Sequence, residues 1–71
     1  MMERLNVGDR PINLTQVLKL AGWVAHGGEA KALIADGRVR VNGAVELRKR
    51  RKLAAGDTVE LDGGPSVTLV G

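Results

Sequence analysis

Cysteine, phenylalanine and tyrosine are absent from the 71 residues, and the chain has one tryptophan, one histidine and two prolines. Each absence closes a route. Without cysteine no disulfide can staple a small fold, and with His26 as the lone imidazole there is no cluster of soft or nitrogen ligands. No metal site and no cofactor are therefore expected. A single aromatic ring is too few for the stacking platforms that hold unpaired nucleic-acid strands. No long uncharged run reaches the length of a bilayer span, and the opening stretch MMERLNVGDR has charges where a signal peptide needs an apolar segment. The expectation is a cytoplasmic protein that does not contact a membrane. Enzyme signals are equally sparse. Ser66 is the sole serine and has no base in its neighbourhood, the carboxylates are scattered over polar positions, and Gly27-Gly28 lacks the pattern of a nucleotide loop. No catalytic residue and no small-molecule substrate are expected.

What is present has a globular balance, with 44% hydrophobic and 27% charged residues. The length allows one domain over residues 1–71, which buries only about 60% of the surface of its unfolded chain. A monomer is expected. The net charge is only +3, but seven basic residues and one acid fall between positions 38 and 52, a local +6 against −3 for the rest. A field concentrated in this way suits a polyanionic partner.

Leu5 and Val7 alternate with Arg4 and Asn6, which predicts a strand ended by the turn residues Gly8, Asp9, Arg10 and Pro11. A helix follows, with Asn13 as N-cap, Gln16 as its capping-box partner and Ile12 placed to staple onto Val17. Leu14, Val17, Leu18 and Ala21 form its apolar face, Thr15, Gln16 and Lys19 lie outside, and Gly22 ends it. Gly27 and Gly28 open a second helix with Ala30, Leu33 and Ile34 buried, closed by Gly37. Trp23 follows the first helix among apolar neighbours and is expected to pack on the core.

Residues 38–41 alternate strictly before Asn42-Gly43, a strong hairpin signal. Register depends on the loop. Two residues would pair Val41 with Ala44 and put Glu46 on the face of Val39. Three residues would pair Val41 with Val45 and Val39 with Leu47, gathering four apolar side chains on one face, and this register is the expected one. It sets Arg40 opposite Glu46 and Arg38 opposite Arg48. Leu53 reads as an apolar anchor, residues 54–57 as a turn, and Val59, Leu61, Val67 and Leu69 as a final hairpin around Gly63-Gly64-Pro65. The fold class is α+β, a two-helix pair packed on a small, mainly antiparallel sheet.

The helix from Leu14 to Gly22, the Ala30-Lys31-Ala32-Leu33-Ile34 stretch, the tract Asp36-Gly37-Arg38-Val39-Arg40-Val41-Asn42-Gly43 and the later Gly56-Asp57 together resemble the RNA-binding domain named after the fourth protein of the small ribosomal subunit. With Trp23 and the basic run, the chain looks like the small stand-alone bacterial members of that S-four-type family, built on the alpha-L RNA-binding motif. The resemblance implies binding of structured RNA, such as ribosomal or transfer RNA, by the helix pair and the adjoining strand loop. Many members begin the second helix with Ser-Arg, where this chain has His26 and Gly27, so a phosphate-contacting arginine is missing there.

The candidate contacts are Arg48, Lys49, Arg50, Arg51 and Lys52, aided by Arg38 and Arg40, since guanidinium forks match phosphate oxygens. The plainer alternative for the run is a solvated loop, and for Arg38 and Arg40 the polar face of a strand. Lys31 on the second helix, Asn42 at the hairpin tip and His26 are further candidates, although an ordinary surface lysine explains the first equally well, and turn geometry and a local hydrogen bond explain the other two better. The rival functions are an adaptor for an acidic protein and a non-specific duplex-DNA binder.

Overall fold

The computed structural model describes residues 2–71, in the order β1 (Met2–Asn6), β2 (Ile12–Asn13), α1 (Leu14–Leu20), α2 (Gly27–Ala35), β3 (Val39–Val41), β4 (Ala44–Val45), β5 (Lys52–Leu53), β6 (Thr58–Leu61) and β7 (Ser66–Val70). Helix α1 begins where the capping box predicts. The Gln16 N–H donates to Asn13 Oδ1 at 2.9 Å and the Asn13 N–H to Gln16 Oε1 at 3.0 Å. Both helices stop in the same way. Gly22 and Gly37 adopt φ of 77° and 72°, and the next N–H reaches back, Trp23 to the Leu18 carbonyl and Arg38 to that of Leu33. This six-to-one closure needs a left-handed residue, which glycine adopts without steric cost.

A five-stranded sheet runs β1-β7-β6-β3-β4, all antiparallel except β1 beside β7. Val39, Val41, Val59, Val67 and Leu69 alternate onto one face and meet Leu14, Val17 and Leu18 of α1 and Ala30 and Ile34 of α2; each is at most 2% exposed. Leu33 and Trp23 pack half-buried at the margin of this core, and Leu53 is sealed within it. The α+β class, the helix pair and the last hairpin are thus as the residue pattern predicts.

Three features depart from it. The Asn42-Gly43 hairpin takes the two-residue loop: Val41 pairs with Ala44 and Arg40 with Val45, with φ of 52° and 87° at the two turn residues. The expected three-residue register fails because its premise, four buried apolar side chains, does not hold. Val45 and Leu47 are 51% and 62% exposed, whereas Glu46 is buried at 7%. Arg38 therefore does not oppose Arg48, and Arg40 faces Glu60 across β6 and lies 3.5 Å from Asp62. Second, Ile12–Asn13 and Lys52–Leu53 form a separate two-stranded ladder. Two residues are too short to show alternation, so no periodic signal marked either strand. Third, β1 returns to pair in parallel with β7, a contact between chain ends that local pattern does not encode.

Candidate nucleic-acid interface

After β4 the chain leaves the sheet edge and crosses to the helices. The Glu46 N–H makes a last ladder bond to the Val39 carbonyl at 3.0 Å. The Glu46 carboxylate then turns inward and accepts from the Arg48 backbone N–H at 3.0 Å, from Arg48 Nε at 3.1 Å and Nη2 at 3.2 Å, and from Arg51 Nη1 at 2.8 Å. These donors, the Arg48 side chain foremost and Arg51 next, hold its carboxyl at a pKa of about 2 against the opposing effect of burial. The same pairing raises the pKa of Arg48.

The other side of the loop is tied to α1. The Lys49 carbonyl accepts from the Thr15 N–H at 3.2 Å and from Thr15 Oγ1 at 2.9 Å, and the Arg51 carbonyl from the Leu14 N–H at 3.0 Å. With Asn13 on Gln16, the first three N–H groups of α1 are all satisfied by protein. The amino end of α1 is therefore filled. That of α2 is held by its own residues. His26 is its N-cap, accepting from the Glu29 N–H at 3.4 Å, while Glu29 Oε1 accepts from the Ala25 N–H at 3.1 Å. Gly27 and Gly28 follow, with the His26 ring packed against Gly28.

Docking the loop on α1 creates a concave surface between it and the helix pair. One part is lined by Lys31, Ile34, Ala35, Leu47 and residues 48–52. The adjoining part is lined by Asn13, Thr15, Gln16, Lys19, Gly27 and Lys31 from the helix side, and by Lys49 and Arg50 of the loop. Lys31 and the basic run, which the sequence offers as two separate centres, line one groove. Lys49, Arg50 and Lys52 are exposed along it, and no ion pair of theirs is found among the described residues. Arg48 and Arg51 also line it but are held by Glu46.

The remaining candidates lie elsewhere or are otherwise engaged. Arg40 alternates with buried Val39 and Val41, so its side chain emerges on the sheet face away from the core, near Asp62. Arg38 is exposed just before β3 and does not line the groove. Asn42 donates from Nδ2 to Asp57 Oδ1 at 3.0 Å and accepts at Oδ1 from the Thr58 N–H at 2.9 Å, which ties the hairpin tip to the start of β6. The first of these bonds, together with the Ala54 N–H, lowers the pKa of Asp57. His26 is occupied at Nδ1 by its capping bond, with Nε2 3.5 Å from Glu29. Lys19, one turn after Thr15 on the polar side of α1, also lines the groove, although the sequence did not single it out. Its spacing from Thr15 was visible, but its relevance arises only when the loop docks there.

Among the described residues no group of three His, Asp or Glu side chains is placed to hold a metal, and no helix is long and apolar enough to cross a membrane.

Comparison with known proteins agrees with this architecture. The S4 domain family matches residues 5–69. "Putative RNA-binding protein YbcJ" of Escherichia coli (strain K12) is 48% identical over 70 residues, covering 97% of this chain and 99% of that protein. "Probable ribosome maturation protein RlbA" of Bacillus subtilis (strain 168) is 37% identical over 70 residues, covering 99% of both chains. The solution structure of Escherichia coli YbcJ, described as revealing an alpha-L motif involved in RNA binding, superposes with a TM-score of 0.77 at 46% identity, over 100% of this chain and 90% of that one. In helix pair, sheet and sequence alike, the chain belongs to the S4 domain family as a small alpha-L member.

Proposed function

We propose that the protein binds structured RNA, ribosomal or transfer RNA, by seating a phosphate backbone in the groove between the helix pair and the 48–52 loop, without catalysis. The observation that carries this reading is convergence. Lys19, Lys31, Lys49 and Arg50, from three segments remote in sequence, line one continuous concavity. Separately they are surface cations of little meaning. Together they form a basic channel whose field a polyanion follows. Gly27, at the amino end of α2, lines the same channel and brings the positive end of that helix to it, which suits a phosphate oxygen. The half-buried position of the only tryptophan against the core removes the one stacking platform, which favours folded RNA over unpaired strands. The names of YbcJ and RlbA point the same way, the second toward ribosome maturation. A cytoplasmic monomer acting on ribosomal or transfer RNA fits this reading.

Retardation of ribosomal RNA, transfer RNA and a duplex DNA of matched length at near-physiological salt tests it. Tighter binding to either RNA than to the duplex is the expected result. Equal affinity for all three would reduce the protein to a general polyanion binder. Failure to retard any of them, with recovery of one acidic protein in a pull-down, would replace RNA by a protein partner.

A further inference from the structure

Glu46 is an acid within the most basic stretch of the chain, and among the described residues it is the one charged side chain that is buried. A carboxylate near a polyanion site is ordinarily unfavourable, because it repels the ligand. Its surroundings give it a different consequence. Five adjacent cations repel one another, and a free loop carrying them would splay. Here two of the five are gathered onto one carboxylate, Arg48 by its backbone N–H and by Nε and Nη2 along one edge of its guanidinium, and Arg51 by Nη1. Arg51 is also one of two places where the loop meets α1, through its carbonyl and the Leu14 N–H, the other being the Lys49 carbonyl on Thr15. One residue thus links the carboxylate to the helix, and Lys49 and Arg50 lie in the short span between Arg48 and Arg51.

We propose that Glu46 is a positioning residue for RNA binding: by holding Arg48 and Arg51 it fixes the 48–52 loop so that Lys49, Arg50 and Lys52 meet phosphates from one pre-set wall of the groove. The inference rests on the RNA-binding reading above. Its physical content is preorganisation, since a loop already in its bound form loses less conformational entropy on binding.

The test turns on sign. If Glu46 acted only as a negative charge, Glu46→Gln would add one net positive charge, strengthen binding and leave the salt dependence the same or steeper. As a positioning residue its loss weakens binding and makes the salt dependence shallower, because fewer cations reach phosphates at once. Total ribosomal RNA is the probe, titrated over a range of salt, with circular dichroism and amide NMR outside residues 46–52 reporting that the fold is kept. The expected result is affinity lower by about threefold or more, the lower end of coupling within one ion-pair network. Arg48→Lys, which keeps the charge and removes the two-atom fork on Glu46, is expected to weaken binding too, and the double variant to be no weaker than Glu46→Gln alone. A folded Glu46→Gln protein that binds as well as or better than wild type overturns the proposal. If Glu46→Gln does not fold, unchanged affinity in Arg48→Lys overturns it and weaker binding supports it. A wild-type protein that fails to retard the RNA removes the RNA reading itself, an outcome separate from any behaviour of the variants.

Discussion

At the scale of single residues, Glu46 shows how one side chain reverses an alternation argument. Its position on the Val39 face looked unfavourable because burying a carboxylate alone is costly. Four hydrogen bonds from Arg48 and Arg51 remove that objection. The information was in the sequence, as an acid two and five residues before arginines, but such spacing is commonplace in charged loops. Only the fold shows that the carboxylate is enclosed. A pH dependence follows. The carboxyl pKa is depressed from 4.5 to about 2 in the folded protein, so its stabilisation is fully present above about pH 4.5. It is lost as pH falls from there towards 2, and the lowered pKa of Asp57 acts in the same direction. Urea unfolding midpoints followed through this window should fall steeply for wild type, and the fall should be shallower for Glu46→Gln. Parallel curves would show that the ion pairs contribute nothing measurable. The core makes a separate demand on single residues. Leu18 is fully buried, and Leu18→Ala should cost about 2–5 kcal/mol by denaturant unfolding.

At the scale of elements, seven-residue α1 depends on its ends. A helix so short is marginal alone, and its first-turn N–H groups need partners. Asn13→Ala removes the side-chain half of the capping box and should destabilise the protein by about 1 kcal/mol. An unchanged denaturation midpoint would mean that the Lys49 and Arg51 carbonyls suffice. The cap was legible because its signal lies within four residues. So were both glycine stops and the last hairpin, whose patterns are equally local. The β2–β5 ladder was not legible, since Ile12 and Leu53 are paired across a long separation with only two residues on each side. The β3–β4 register was misjudged for a related reason. Counting apolar residues favours burying Val45 and Leu47, but the chain turns off the edge after Val45 and leaves both outside.

At the scale of the molecule, the proposed binding surface is a product of docking. The 48–52 run was visible as charge, and Lys31 as a surface lysine, yet nothing in their spacing brought them to one groove. If that groove seats the RNA, variants in the loop and in α2 should weaken binding alike. Lys49→Ala with Arg50→Ala should flatten the plot of log affinity against log salt by roughly 1.5, with similar losses for different RNA sequences. Lys31→Ala should flatten it by a little less than 1. Arg40→Ala, on the opposite sheet face beside Asp62, should change affinity little. A large loss from Arg40→Ala with none from Lys31→Ala would move the site to the other face of the sheet. Arg51 is unsuitable as a simple surface probe, because its guanidinium is bound to Glu46 and its carbonyl to Leu14.

The sequence by itself determined the α+β class, the two helices with their caps and stops, the core strands and the concentration of charge between positions 38 and 52. Each of these is written in neighbours a few residues apart, through turn-forming conformations, helical or alternating periodicity and local charge. Tertiary structure alone decided that Glu46 goes inward, that β1 closes beside β7, and that the basic loop lies across the amino end of α1 with Lys19 and Lys31 facing it. Those outcomes depend on hydrogen bonds between segments far apart in the chain, such as Thr15 to Lys49, whose formation no local pattern records.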